Sequence, residues 1–182
     1  MVLRDPSRAA LLSVANMLSV ARAALRFEAV ILSADEIPRA ADVFPLFYDD
    51  IRSCHEVLHG KDVFADLEIS DRHRRLRIEQ ELREMQIRLR RAVVDSLGAS
   101  AQLAGQVERK VKQLRGPLHA LFALKKTPAK NDGIEALLEQ AKTTFGVDPK
   151  PLFDVRQDPD AALETLTKLL SLAIEDVDRM AD

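Results

Sequence analysis

The chain has 182 residues, of which 47% are hydrophobic and 31% are charged, and its net charge is −2. This length is enough for one domain with a sizeable core, and the nearly balanced charge makes nucleic acid an unlikely class of partner on electrostatic grounds. The single cysteine, Cys54, excludes an intramolecular disulfide. A lone cysteine fits a reducing compartment, so we expect the protein to be cytoplasmic.

The first predicted element is an amphipathic helix over residues 8–27. Its apolar positions recur every three or four residues and form one stripe: Leu11, Val14, Leu18, Ala21 and Leu25. Asn16, Arg22 and Arg26 interrupt the segment, so we expect no membrane span. Residues 1–40 are therefore assigned to this helix and a linker.

Two helices are predicted in the middle of the chain. One runs from about Leu46 to His59 and ends at Gly60, which suits a left-handed C-terminal cap. The longest opens at Ser70 or Asp71, reaches about Leu97 and is closed by Gly98. Its predicted core stripe contains six residues: Ile78, Leu82, Met85, Leu89, Val93 and Leu97.

The same long helix has a second set of apolar residues. Leu76, Ile87 and Val94 lie about half a turn from the main stripe. A helix that is apolar on two faces is either central in its bundle or shared with a partner. A homodimer through this face is one hypothesis.

The later part of the chain predicts further helices separated by proline and glycine. A helix starting near Ser100 should break at Gly116-Pro117, because proline removes a backbone donor. Another is capped by Asp132 and Glu135 and ends at Gly146. Asp148-Pro149 and Asp158-Pro159 each predict a helix start, and the last helix covers 159–181.

No convincing strand is visible in the sequence. The fold class predicted is all-α, a bundle of six or seven mostly antiparallel helices in a single domain. Within that domain we assign residues 41–182 to the bundle.

One motif points to metal chemistry. His55-Glu56-Val57-Leu58-His59 matches H-E-x-x-H, in which two histidines one helical turn apart bind zinc and the glutamate acts as general base. Glu79 is a candidate third ligand for such a zinc-dependent hydrolase. Arg83 and Lys61 do not suit that site, so the favoured interpretation is two histidines on a structural helix, with no metal and no cofactor.

A second pattern on the same predicted helix involves Arg52 and His59. Six residues separate them, a spacing that is similar to the site of the helical HEPN ribonucleases, although Ser53 replaces the polar residue that usually follows the arginine. On a helix, Tyr48, Arg52, His55 and His59 would share one edge. These four are the candidate substrate-facing residues.

The segment from Arg72 to Arg91 contains eight arginines interleaved with acidic residues. Glu79–Arg83 and Glu84–Arg88 have the spacing of favourable i,i+4 ion pairs. No aromatic residue is present to stack on bases. We interpret the segment mainly as a solvated helix face, with phosphate binding as the alternative.

Three segments together resemble one family. They are "ADVFPLFYDDI" (41–51), "VLHGKDVFADLEIS" (57–70) and "LRIEQELREMQIRLRRAV" (76–93). They resemble the helical C-terminal region of predicted bacterial nucleotidyltransferases, distant relatives of the aminoglycoside nucleotidyltransferases. The likeness covers most of residues 40–182.

That resemblance implies a helical wall beside a catalytic domain, in which Mg²⁺ and a nucleotide triphosphate are held by acidic residues that follow a Gly-Ser turn. This chain has no Gly-Ser dipeptide, and its Asp176-Val177-Asp178 lies in the predicted last helix. We therefore expect a non-catalytic module whose partner is such a catalytic domain, in cis or in trans. The chain is then either part of a longer enzyme or a separate docking module.

Overall fold

The computed structural model describes residues 1–97, 99–127, 131 and 133–180. These residues group into two compact units, Met1–Ile69 and Ser70–Asp182. We refer to them as the N-terminal and C-terminal units.

The N-terminal unit contains a short parallel strand pair joined by a helix. Strand β1 (Val2–Leu3) is followed by helix α1 (Arg8–Leu25), strand β2 (Leu32–Ser33) and helix α2 (Pro45–Cys54). Val2 pairs with Leu32, and Leu3 pairs with Ser33. Parallel strands need a crossover, and α1 provides it. The sequence analysis predicted no strand here, because two residues are too few to show an alternating pattern.

A small apolar core holds this unit together. The buried members are Ile37, Ala41, Tyr48, Phe64 and Leu67, and the half-buried side chains of Val2, Leu32, Ala40, Ile51 and Ile69 pack against them. The cluster joins residues on both sides of position 40, where the sequence analysis divided the N-terminal helix and linker from the bundle. The N-terminal segment and residues 41–69 consequently belong to one compact unit.

The C-terminal unit consists of helices. They are α3 (Asp71–Asp95), α4 (Ser100–Gln113), α5 (Arg115–Leu124), α6 (Ile134–Phe145), α7 (Lys150–Phe153) and α8 (Pro159–Arg179). Helix α3 packs against α4, α5 and α8, and α8 also packs against α4, α6 and α7. Counting α1 and α2, the described residues form seven helices of ten residues or more, which confirms the predicted all-α class.

Local sequence signals account for several helix ends. Asp158 caps α8 by accepting the backbone N–H of Ala161 at 2.9 Å, as its position before Pro159 predicts. Helix α6 ends at Phe145, and the next residue, Gly146, has a φ of 69°, the left-handed cap that glycine favours. The predicted cap Asp132 lies outside the described residues. The break between α4 and α5 follows from Pro117, which has no N–H to donate to the carbonyl of Gln113.

The buried stripe of α3 differs from the predicted one at its C-terminal end. Ile78, Leu82, Met85 and Leu89 are buried as predicted, and Ala92 follows them. Val93 is 40% exposed and Leu97 is 92% exposed, so the prediction was wrong for these two. The helix ends at Asp95, and Leu97 has a left-handed φ of 48°, which takes it off the core face. The second apolar face is exposed, with Leu76, Ile87 and Val94 at 44%, 62% and 70%, so it is not buried at the centre of the bundle, and a partner on this face stays a hypothesis.

The stripe of α3 makes a direct prediction about stability. Leu82 is fully buried, whereas Leu76 on the same helix is 44% exposed. We expect Leu82→Ala to lower the free energy of unfolding by about 2–5 kcal/mol, because it removes buried methyl groups and leaves a cavity. We expect Leu76→Ala to change it by less than about 1 kcal/mol. Urea unfolding followed by circular dichroism compares the two variants, and equal losses would contradict the packing described above.

Candidate functional site

Helix α2 ends before the histidine pair. Its last residue is Cys54, and His55 is the capping residue with extended backbone angles (φ −90°, ψ 156°). The Ser53 hydroxyl and the Cys54 thiol donate to the carbonyl of Asp50, at 2.8 Å and 3.1 Å. The extended backbone of His55 ends the run of helical backbone angles at Cys54. The predicted helix to His59 is therefore wrong, and His55 and His59 are not one turn apart on a helix face.

The segment after α2 is fixed by Asp62. One carboxylate oxygen of Asp62 lies 3.0 Å from Nε2 of His55, and the other accepts the backbone N–H of Phe64 at 2.9 Å. The Phe64 ring meets the His55 ring edge-on, with centroids 5.8 Å apart. This loop, residues 55–64, is thereby folded back towards the end of α2.

Two of the other candidate residues also have structural partners. Arg52 donates from a terminal guanidinium nitrogen to the carbonyl of Leu67 at 3.0 Å. Tyr48 is only 2% exposed, and its ring lies 5.4 Å from that of Phe47 and 6.1 Å from that of Phe64. Tyr48 is thus a packing residue in this structure, with almost no surface for a substrate. A substrate-facing role for Arg52, His55 and His59 stays a prediction.

The electrostatics of the loop favour a charged pair. The hydrogen bond to Asp62 raises the pKa of His55, and the carbonyls of Ile51 and Arg52 act in the same direction. The N–H of Phe64 lowers the pKa of the Asp62 carboxyl, helped by His55. Burial, followed by Glu36, raises the pKa of Tyr48.

The residues proposed for zinc do not form a metal site. In the described part of the chain, no group of three or more His, Cys, Asp or Glu side chains could hold a metal ion. Glu79, the candidate third ligand, lies in the C-terminal unit and accepts from Nε of Arg83 at 2.8 Å. Its other oxygen contacts Arg75 at 3.4 Å. The arrangement of Glu79 is that of an ion-pair network.

The ribonuclease-like pattern of Arg52 and His59 also required a helix that continues to His59, and α2 ends at Cys54. Arg52 lies on α2, but His59 lies five residues beyond its end. The guanidinium of Arg52 is engaged by a backbone carbonyl. The described geometry therefore does not place Arg52 and His59 on one helical face.

The acidic residues near the C-terminus also have ion-pair partners. Both carboxylate oxygens of Asp178 accept hydrogen bonds from Arg83, at 3.0 Å and 3.1 Å. Asp176 forms an ion pair with Lys125. Neither aspartate follows a glycine turn. Both connect α8 to its neighbours in the C-terminal unit, as expected of a polar helix face.

Most of the arginine-rich face of α3 forms ion pairs within the helix. The predicted pairs Glu79–Arg83 and Glu84–Arg88 are present at 2.8 Å and 3.1 Å, which confirms them. Arg77–Glu81 and Arg91–Asp95 add two more of the same spacing. The face is thus largely a ladder of solvated pairs.

Helix α1 has an unusual environment for an apolar helix. None of its residues is buried, and the residues between Arg8 and Leu25 include no acid. The predicted stripe is half-buried at Leu11, Val14, Leu18 and Ala21, but Leu25 is exposed. Further apolar residues are largely exposed: Leu12 at 58%, Met17 at 64% and Val20 at 65%. We call Leu12, Met17 and Val20 the outer face of α1.

Among the described residues, α1 is long and apolar enough to cross a membrane. The sequence analysis had not expected any segment to qualify. One such helix near the N-terminus is a weak indication, because core helices and signal sequences meet the same criterion. The length and composition of α1 establish no membrane role.

Comparison with protein-family models, curated proteins and solved structures gives no significant match in any of the three. The resemblance to nucleotidyltransferases rests on the three sequence segments alone. It enters below as a proposal.

Sequence reasoning missed Asp62 as the residue that organises the loop after α2. The available signal was the Asp62-Val63-Phe64 sequence, because an aspartate readily accepts the N–H two residues later. The histidine motif had been interpreted on a helix that reaches His59, and the chain does not form that part of the helix. The arrangement found is a structural loop with an exposed histidine–aspartate pair.

The histidine–aspartate pair predicts a specific pH dependence. We expect His55 to titrate above its ordinary pKa of about 6.5, and Asp62→Asn to return the His55 pKa towards that value. The pair stabilises the loop fully below the unfolded pKa of His55 and loses this contribution as pH rises through the folded pKa. The stabilisation that the ionised Asp62 carboxylate contributes is lost when the pH falls through the lowered pKa of Asp62. NMR titration of the His55 ring measures both proteins.

The control is Asp66→Asn, an exposed aspartate in the same segment. It should leave the His55 titration unchanged. A His55 midpoint that is the same with and without Asp62 would contradict the pairing.

The absence of a ligand cluster in the described residues predicts the metal content. Protein purified without a histidine tag should contain far less than one zinc per chain, because the His55 ring is bound to Asp62 and Glu79 to arginines. Elemental analysis measures this directly. One tightly held zinc per chain, lost in His55→Ala and in His59→Ala, would restore the hydrolase hypothesis.

Proposed function

We propose that the chain is a non-catalytic interaction module that packs against a nucleotidyltransferase catalytic domain, in cis or in trans, and forms one wall of its substrate cleft. The observation that carries this proposal is α1, an apolar helix of 18 residues with no buried residue. Such a helix is stable and soluble when its apolar surface is covered.

The strand pair supports the same proposal. Parallel sheets normally have several strands and are covered on both faces, whereas β1 and β2 contribute two residues each. A ladder this short adds little stability alone. A partner that supplies further strands and a neighbouring helix would cover the outer face of α1 and extend the ladder.

The chemistry of the partner comes from the resemblance described above. A nucleotidyltransferase catalytic domain carries a Gly-Ser turn and an acidic pair that hold Mg²⁺ and the nucleotide triphosphate. This chain has no Gly-Ser dipeptide, and Asp176 and Asp178 are engaged by Lys125 and Arg83. In this division of labour the partner performs the chemistry. Arg52, His55 and His59 are then the candidates to face the substrate.

Charge agrees with this choice of partner surface. Arg8 and Arg22 are the only charged residues of α1. A complementary partner surface would present apolar side chains bordered by acidic ones.

The test mixes the purified chain with a catalytic domain that has the Gly-Ser and D-x-D sequences and is encoded in frame or in an adjacent gene. We expect a one-to-one complex by calorimetry, and nucleotidyl transfer only when the catalytic domain is present. Val20→Glu should weaken the complex by at least about tenfold, which corresponds to about 1.4 kcal/mol. The substitution places a charge on the outer face of α1.

The matched control is Ile87→Glu on α3. Ile87 is 62% exposed, close to the 65% of Val20, so both variants should fold. Equal weakening by the two, or no complex with any such domain, would defeat the proposal. A stable homodimer that Ile87→Glu dissociates would favour self-association through the second face of α3.

A further inference from the structure

An open cleft of about 690 Å³ lies in the C-terminal unit, where the start of α3 meets the ends of α5 and α8. Its charged lining contains four cations and two carboxylates: Arg72, Arg75, Lys125, Arg179, Asp71 and Asp176. The difference leaves a surplus of two positive charges. The cleft and its lining belong to one compact unit, and they are independent of the proposed function.

Arg75 is the most buried of these cations, and one of its donors is unsatisfied. Its side chain is 14% exposed, and its Nε atom is buried without any acceptor among the described residues. Its contact with Glu79 is long, at 3.4 Å. Buried guanidinium donors are usually paired, so this one is expected to meet an acceptor in some functional state.

Glu79 does not require Arg75 as a partner. It receives a shorter bond from Nε of Arg83, at 2.8 Å, and Arg83 is fixed in turn by Asp178 at 3.0 Å. Arg75 can therefore turn towards an anion in the cleft while Glu79 remains paired.

Arg72 is the second free donor. It is exposed and has no carboxylate partner in the part of the chain that the structure describes. Arg72 and Arg75 are three residues apart in the first turns of α3, so they lie on neighbouring positions of one helix surface. Lys125 is already paired with Asp176. Arg179 contacts Glu175 at 3.4 Å, the same distance as Arg75–Glu79, but its side chain is 76% exposed and its charge is solvated, whereas Arg75 is 14% exposed and keeps an unsatisfied Nε. The free positive charge comes from Arg72 and Arg75.

We propose that this cleft binds the phosphate group of a small organic phosphate, with Arg72 and Arg75 as its ligands. Two guanidinium groups present planar pairs of N–H donors that match the oxygens of phosphate. Leu124 and Met180 also line the cleft and offer apolar surface to the rest of the ligand. A phosphomonoester with an apolar group is the ligand class that fits both features.

The full chain is titrated with phenyl phosphate and with inorganic phosphate, and the arginine Nε–Hε signals are followed by NMR. We expect the Arg75 signal to shift with saturation and phenyl phosphate to bind more tightly than inorganic phosphate. Arg72→Gln and Arg75→Gln should each weaken phenyl phosphate binding by about tenfold, because each removes a charged bidentate donor. Arg75→Lys should bind more tightly than Arg75→Gln, because lysine keeps the positive charge but lacks the planar pair of N–H donors of arginine.

Arg91→Gln is the matched control, because Arg91 lies on the same helix, is 81% exposed and pairs with Asp95. It should bind phenyl phosphate like the unaltered chain. If Arg75→Gln fails to fold, the exposed Arg72→Gln decides the outcome. The proposal is overturned by full affinity in Arg72→Gln, by equal losses in Arg91→Gln, by the absence of any saturable shift, or by binding of an acidic peptide in place of the small phosphate.

Discussion

The topology of the N-terminal unit is set by a parallel strand pair, because parallel strands require a crossover connection. Two ladder pairs, Val2–Leu32 and Leu3–Ser33, hold β1 to β2, and α1 must span the distance between them. The core below the strands is small, with Tyr48 and Phe64 as its largest buried residues. Apolar surface of α1 beyond the reach of this core remains in solvent, and that surface is the basis for proposing a partner.

The C-terminal unit has a different source of stability. Helix α3 contributes a continuous buried stripe, and α8 contributes Leu166, Leu169 and Leu170, each at most 1% exposed. Ion pairs such as Arg83–Asp178 join the same two helices at the surface, where their individual contribution is small. With a complete apolar core, this unit can present polar groups such as Arg72 and Arg75 for binding.

Sequence patterns predicted the long helices well because periodicity over many residues reflects burial on one face. The caps at Asp158 and Gly146 and the break at Pro117 also followed from local chemistry. The patterns failed where the outcome depended on few residues. The two-residue strands have no readable period, and the end of α2 is set by the extended backbone of a single residue, His55. The H-E-x-x-H letters were read on the assumption of a helix that continues to His59, whereas α2 ends at Cys54.

The cleft beside Arg75 was not predictable, because it requires the ends of three helices to converge. The sequence analysis placed Arg72 and Arg75 on a mainly solvated face, with phosphate binding only as an alternative for the whole segment. Ion pairs satisfy most of that face. Only the tertiary arrangement places Arg72 and Arg75, two arginines of this face without a short ion pair, beside the cleft.

Hydrogen–deuterium exchange across α1 tests the central claim most directly. The amides of Arg8–Leu25 should exchange readily in the isolated chain, because the helix is half-covered at best, and should become protected when the catalytic domain binds. The buried helices α3 and α8 serve as internal references, with protection that does not change. Strong protection of α1 in the isolated monomer, or no gain in protection in the mixture, would contradict the claim that the exposed apolar surface of α1 is covered by a partner.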